Sequence, residues 1–555
     1  MPKTPDEKPP FRTSAARRKL LIAIGLGAAS RFIPAAAAAT AAKPTPKGQV
    51  VIGFSNEPTV FNPLFKGLSV DHGVWWNLFS PLWQYDENGH PVAALAREIP
   101  GVENGGLSAD GLTWKIKLRD GVKWHDGQPF TAEDVKFTIE LLQLQDFRAS
   151  SRMGHSLVTD IKVTSPLELT WKLKQPFAPY LSLLSSTFIV PKHVVGKAAD
   201  PNTSALNTAP IGTGPFRWSE RVAGDHLTLV ANRDYFGSGP LLERLVFKYV
   251  PDLTALFTQF SSGSIDYLGL QGIPPDQYTQ AKAIANVEIH VSPLPAVQNV
   301  TFNLGHPVLG DKAVRQALYY AMDKRSIIDV LYHGLPKETE SYLPDGNWAY
   351  RGDLPKHVYS PDKAKQILDE AGWKPGPDGI RVKNGRRLEF TNSTVAGNPA
   401  QEQTQLLLAQ SWQAIGVSMK IRNMPGAVIW GPFWSQSQFD SLVTYTNCTI
   451  ASDPNVIDRF DSHSIPAHGG SGTNVYQFRN ATVDQLLEDA VRTVSLDQRK
   501  KNYAQVQGIM RDELAMLPMF QVVLIEGNRK GLVGFKNNVN VLSNAWNAAT
   551  WYWKA

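Results

Sequence analysis

SPDKAKQILDEAGW at residues 360–373 runs directly into KPGPDGIRVKNGRRLEFTNSTVAGNPAQEQTQLLLAQSWQAIGVSMKIR at residues 374–422, and this stretch decides the fold class. Ser360 supplies a helix N-cap, Pro361 suits the first turn, and Gly372 suits the C-terminal end. Ala364, Ile367, Leu368 and Ala371 fall on one face at helical spacing. Asn384-Gly385 predicts a tight hairpin between Ile380-Arg381-Val382 and Leu388-Glu389-Phe390. A second helix is expected from about Ala400 to Ile415, stopping at Gly416. Val417, Met419 and Ile421 then alternate as a half-buried strand. Helices and strands following one another in this way argue for α/β architecture.

The alternation extends outward in both directions. A helix is expected from Asp311, with Val314, Ala317, Leu318 and Ala321 on its buried face. Helices also fit Val483 to Val494 and Asp497 to Leu514. Strand patterns at Trp114 and Trp171 flank a helix that starts after Thr131, where Thr131 and Asp134 form a capping box. At 555 residues the chain exceeds one ordinary domain. Its 43% hydrophobic and 19% charged residues exclude disorder throughout. Beyond the N-terminus no run of about 18 apolar residues occurs, which excludes a polytopic helical membrane protein. Cys448 stands alone, so no intrachain disulfide, no cysteine-based metal site and no lipid-anchoring cysteine behind a leader is expected.

Residues 1–42 read as an export signal. They hold seven Lys/Arg against Asp6 and Glu7, and without them the chain is close to neutral. A nucleic-acid partner thereby loses its electrostatic argument. Arg17 and Arg18 precede an apolar stretch from Leu20 to Ala29, and an alanine tract from Ala35 to Ala42 offers cleavage sites. Ala16-Arg17-Arg18-Lys19-Leu20-Leu21 resembles a twin-arginine signal. Ten apolar residues are too few to span a bilayer. The mature chain is expected to start near Ala41 to Lys43, unanchored in a bacterial periplasm.

Five segments together resemble the family 5 extracellular solute-binding proteins of ABC importers, the peptide/nickel-binding family. The most specific is Trp114-Lys115-Ile116-Lys117-Leu118-Arg119-Asp120-Gly121-Val122-Lys123-Trp124-His125-Asp126-Gly127, continuing through Pro129-Phe130-Thr131-Ala132-Glu133-Asp134-Val135. The others are Gly212-Thr213-Gly214-Pro215-Phe216, Val314-Arg315-Gln316-Ala317-Leu318 with Asp323-Lys324, Asp362-Lys363-Ala364-Lys365 with Ala371-Gly372-Trp373, and Leu517-Pro518-Met519-Phe520. The resemblance implies a two-lobed α/β fold of the Venus-flytrap kind. Lobe I would comprise 48–297, with an extra subdomain, plus 517–555; lobe II would comprise 298–516. It implies capture of an oligopeptide or related small solute between the lobes and delivery to an ABC permease in the inner membrane. It further implies a monomer with no cofactor, no metal and no catalytic residue.

By family position, two segments are expected at the ligand. The first follows the opening strand and offers Glu57, Thr59 and Phe61. The second, Tyr445 to Asn455, offers Tyr445, Asn447, Thr449, Ile450 and Asp453, with Asp453-Pro454 also readable as a plain turn. Trp430 and Trp434, in a Gly/Pro-containing stretch, are candidates for stacking on a ligand. Peptide-binding members carry an aspartate where Ile450 stands, and dipeptide-binding members an arginine where Val395 stands. The resemblance therefore speaks against free dipeptides and leaves longer or capped peptides, sugars, opine-like compounds and metal chelates open. His463 and His468 near Asp461 lie in a Gly/Ser loop and read as solvated rather than metal-binding.

Two other classes compete. A secreted hydrolase would need converging carboxylates, which a sequence cannot show. No G-x-S-x-G, H-E-x-x-H or EF-hand pattern occurs, and no phosphate-binding G-x-x-x-x-G-K-[ST]. A receptor or peptide-holding module on the same fold is the third reading.

Overall fold

The computed structural model describes residues 44–555 apart from 270–271, 448–452, 471, 539, 542 and 555. The expected leader and the candidates Thr449 and Ile450 lie outside the described residues.

The elements that build the molecule are, in chain order, β1 (Gln49–Phe54), α1 (Ser69–Leu78), β2 (Thr113–Lys117), α2 (Ala132–Gln143), β3 (Val158–Ser165), β4 (Glu168–Leu173), β5 (Phe216–Val222), β6 (His226–Ala231), β7 (Arg244–Tyr249), β8 (Tyr267–Leu268) and β9 (Val287–Phe302). There follow α3 (Lys312–Tyr320), α4 (Lys324–Tyr332), α5 (Pro361–Glu370), β10 (Glu389–Ser393), α6 (Pro399–Gln413), β11 (Ser418–Ile421), β12 (Ser441–Asn447), α7 (Ala481–Arg492), α8 (Leu496–Glu513) and β13 (Met516–Arg529). One ten-stranded sheet has the order β11-β10-β12-β9-β13-β8-β1-β7-β6-β5.

Two cores occupy the two ends of that sheet. Val50, Ile52, Leu229, Leu245 and Phe247 pack with Trp75 of α1 and Trp551 from the C-terminal end of the chain. At the other end Val300, Phe302, Phe390 and Val443 pack with Leu318, Leu408 and Trp412. A further core beside the second holds Val483, Leu487 and Ala490 of α7 against Tyr503 and Val506 of α8. These are lobes I and II of an α/β fold, with β9 and β13 running through both. Core membership changes along β13: Leu517, Met519 and Phe520 pack in lobe II, and Ile525 packs in lobe I with Val287. Leu517, Met519 and Phe520 thus pack with the lobe II core, in the segment where the resemblance implies the return to lobe I.

The extra subdomain is a separate sheet, β2-β4-β3, covered by α2. Trp114 and Trp171 are direct cross-strand partners with rings stacked 6.1 Å apart. The Asp134 carboxylate accepts the Thr131 backbone N–H at 3.0 Å at the start of α2. Leu141, Leu142, Phe188 and Val190 carry the subdomain into the lobe I core.

Residues 360–422 fold as their pattern predicts, with one difference at the second hairpin strand. Ser360 caps α5 by accepting from the Lys363 N–H. Asn384 and Gly385 both have positive φ, 50° and 77°, as a two-residue hairpin turn requires. The turn pairs Val382 and Lys383 with Arg387 and Arg386, and the Leu388 N–H donates to the Arg381 carbonyl at 2.8 Å. Of Leu388-Glu389-Phe390, expected as the second hairpin strand, the last two residues instead begin β10 of the main sheet, where Phe390 is buried. Burial of Phe390 on the large sheet outcompetes extension of an exposed ribbon. Among the described residues no helix is long and apolar enough to cross a membrane.

Candidate ligand-binding cleft

Strand direction places the cleft. β1 and β8 are parallel, β8 and β13 antiparallel, and β13 and β9 antiparallel, so β1 and β9 run the same way. β12 is antiparallel to β9. The C-terminal end of β1 in lobe I therefore faces the C-terminal end of β12 in lobe II. Gly53 is level with Leu268, Leu268 with Gly527, and Gly527 with Ile289. Asn447 is level with Ala296. The two ends are thus separated by about six residues of β9, roughly 20 Å at strand rise. Among the described residues, the strands that bridge this gap are β9 and β13. Their ladder is interrupted between Pro293 and Val297, where Leu294-Pro295-Ala296 stands against Val522. Proline has no N–H to donate, so the ribbon is thinnest here. A space between carboxyl ends of strands is where α/β folds bind ligands.

The candidates in lobe I lie on the loop after β1. Asp71 of α1 holds it: its carboxylate accepts the N–H groups of Thr59 at 2.9 Å, Val60 at 3.1 Å and Leu68 at 2.7 Å. Burial raises the Asp71 pKa, against the pull of these three amides. Trp75 Nε1 donates to the Val60 carbonyl at 2.7 Å. Thr59 is left exposed. Glu57 is paired with Arg221 of β5 at 2.5 Å. The Arg221 guanidinium lies over the Phe61 ring at 5.7 Å, and Phe61 packs edge-on against Trp218 at 4.7 Å. Phe61 is thus buried between Arg221 and Trp218, and Thr59 and Glu57 present the polar surface.

The described candidates in lobe II are mostly aromatic. Residues Gly426–Val428 and Ile429–Phe433 form short helical turns where the sequence suggested only a Gly/Pro-containing stretch. Trp430 is half exposed and meets Trp434 edge-on at 5.5 Å, and Trp434 stacks on Phe439 at 5.5 Å. Val395 pairs with Met424 beside this group. Tyr445, also half exposed, lies opposite Gln298 of β9. Asn447 closes β12 opposite Ala296. Asp453 is taken up inside the lobe: both its oxygens accept from Arg499 Nη2, at 2.7 and 3.0 Å, and one accepts the Asn455 N–H at 3.0 Å. Arg499 in turn lies over the rings of Trp348 and Tyr503. A ligand cation at Asp453 would have to displace this buried pair.

A scan of family models matches residues 90–466 to bacterial extracellular solute-binding proteins, family 5. The chain belongs to this family. The oligopeptide-binding protein AppA of Bacillus subtilis is 31% identical over 511 residues, covering 89% of this chain and 90% of AppA. The structure of AppA in complex with a nonapeptide superposes with a TM-score of 0.78 at 28% identity, over 92% of this chain and all of that one. NikZ from Campylobacter jejuni in complex with Ni(L-His) gives 0.79 at 28% identity, over 91% of this chain and all of NikZ.

As a family 5 solute-binding protein, the chain explains its own signature segments by contact. His125 is clamped by the Gly212–Gly214 turn: Gly212 N–H donates to Nδ1 at 3.1 Å, and Nε2 meets the Gly214 carbonyl at 3.1 Å. Since Nδ1 accepts, Nε2 carries the proton, and burial drives the His125 pKa down to about 4. His463 and Asp461 come near Asp484. Their carboxylates already accept local N–H groups, Asp461 from His463 and Asp484 from Ser462, which is loop capping. Two partners of the candidate residues escaped the sequence reading, Arg221 beside Glu57 and Gln298 opposite Tyr445. Arg221 has no local signal. Gln298 has a weak one: with Asn299 it is a polar pair inside an apolar run, and both are buried.

Proposed function

We propose that this chain is the substrate-binding component of a bacterial ABC importer. It takes up an oligopeptide or related small solute between its lobes and hands it to a permease in the inner membrane. The observation that carries this is the pair of strand ends facing each other across a two-strand ribbon, in a chain similar over nearly its whole length to a protein that holds a nonapeptide. Ligand that touches both walls favours the closed arrangement, which the permease reads. In this reading the chain binds and releases without turnover. It acts as a monomer, is exported to the periplasm through its twin-arginine leader, and hinges where Leu294-Pro295-Ala296 faces Val522. Lobe I is then 48–293 plus 523–555.

A second reading is a non-peptide solute. It is favoured by the aromatic wall of Trp430 and Tyr445, by Val395 beside it, and by similarity to a protein that holds Ni(L-His). Native mass spectrometry of the protein purified from periplasm, followed by denaturation, separates the two. A ladder of peptide masses supports the first reading; a single non-peptide mass supports the second. With the released ligand in hand, Trp430→Ala and Asn447→Ala are expected to weaken binding about tenfold or more with unchanged melting. Wild-type affinity in both would remove these residues from the site.

A further inference from the structure

In this structure the far ends of the two lobes touch. The contact is made by the extra subdomain on one side and by α7 and its flanks on the other. Val491 is the last-turn residue of α7, a helix that buries Val483, Leu487 and Ala490 in lobe II. Val491 itself is buried in the subdomain core, together with Trp114, Trp171 and Tyr180. Its carbonyl accepts the Ala178 N–H at 2.8 Å. Asn455 Nδ2 donates to the Met153 sulfur at 3.7 Å. Ile457 packs on the cores of both the subdomain and lobe II. Val494 Cγ1 lies 3.0 Å from where a Cβ on Gly111 would be.

The subdomain travels with lobe I. Leu141, Leu142, Phe188 and Val190 sit in the lobe I core, and His125 is fastened to Gly212 and Gly214. Lobe II reaches lobe I through β9 and β13, broken at Pro293–Val297. Rotation about that break withdraws Val491 from the subdomain core. It also separates Ala178 from its acceptor. Every group in this contact comes from the protein.

We propose that the contact centred on Val491 and Ala178 is a ligand-independent latch that sets the open–closed equilibrium of the empty protein. It goes beyond the transport reading, because it holds whatever the solute is. Its consequence is that ligand need supply only part of the free energy of closure, since apparent affinity scales with the fraction already closed.

The test needs no ligand. Small-angle scattering of the unfolded-and-refolded, ligand-free mature protein reads the radius of gyration, and a thermal melt reads the fold. Wild type is expected to scatter as the compact structure does. Val491→Asp, which would bury a carboxylate only on closure, is expected to expand the particle by moving the closed-to-open ratio about tenfold or more toward open, with melting close to wild type. Val483→Asp, in a core that stays buried in either state, is expected to lose cooperative melting. An unchanged radius in Val491→Asp overturns the latch. If Val491→Asp fails to fold, Ala178→Pro decides, since it removes the N–H that meets the Val491 carbonyl, while also fixing φ at 178. Expansion supports the latch and an unchanged radius overturns it. Neither result depends on whether a peptide or another solute is the cargo.

Discussion

The Lys324 side chain is fully buried, and its ammonium meets Glu340 Oε1 at 3.1 Å, the Tyr319 hydroxyl at 2.7 Å and the Thr339 carbonyl at 3.1 Å. Glu340 also accepts from Tyr319 at 2.6 Å and from Arg511 Nε at 2.8 Å. One carboxylate thus serves two cations. Burial pulls the Lys324 pKa down to about 8, and Glu340 holds it from falling further. Glu340→Gln keeps the shape but leaves a buried ammonium without its counter-charge. The expected loss of stability at pH 6.5 is about 3 kcal/mol or more by urea unfolding. Because Lys324 can shed its proton in the folded state, the deficit relative to wild type is expected to shrink toward pH 9. A deficit independent of pH would assign the loss to packing alone. The sequence shows Asp323-Lys324 as a family segment, but nothing in it pairs residue 324 with residue 340 or 511. Such partners meet only through the fold.

At the scale of elements, most of the local structure was legible because its signals are local. Ser360, Asn384-Gly385, Thr131–Asp134 and the apolar faces of α3 and α5 depend on residues a few positions apart. What was not legible depends on competition between distant partners: the short hairpin after Gly385, the helical turns carrying Trp430, and the capture of Asp453 by Arg499. The Gly212–Gly214 turn lies between these cases. Its glycines read as a turn, yet their reason is a close approach to α1. A Cβ on Gly212 would lie 1.9 Å from the Leu78 carbonyl oxygen, and one on Gly214 2.5 Å from the Leu78 carbonyl carbon. Gly214 N–H donates to that same Leu78 oxygen at 2.9 Å. Gly212→Ala must therefore push α1 away from the loop that grips His125. The expected cost is about 3 kcal/mol or more, at the upper end for overpacking. Lys123→Ala, at an exposed position of the same signature segment, serves as the neutral comparison.

Over the whole molecule, four histidines share one behaviour. His125 and His155 of the subdomain, His72 of α1 and His357 of lobe II all have pKa values lowered to about 4, with burial as the largest cause. Their neutral state is built into the hydrogen bonding. His125 Nδ1 accepts from Gly212, and His155 Nδ1 lies 3.2 Å from the Tyr180 hydroxyl with Nε2 3.3 Å from Thr187 Oγ1. In the unfolded chain the same rings titrate near 6.5. Between pH 6.5 and about 4 the unfolded state binds protons that the folded state refuses. The stability these groups confer is therefore complete above pH 6.5 and declines as pH falls through that window. Each ring contributes at most about 1.4 kcal/mol per pH unit. Urea midpoints measured from pH 7.5 down to 4.5 are expected to be flat at first and then to fall steeply. His155→Gln is expected to flatten the fall by one proton's worth, while lowering the plateau through loss of its packing. Since three of the four rings lie in lobe I and its subdomain, the acid transition should begin there. Hydrogen exchange at pH 5 is then expected to quicken in β2–β4 and α1 before it quickens in β10–β12. Equal onset in both lobes would mean that the coupling through β9, β13 and the Val491 contact is strong enough to make the two lobes unfold as one.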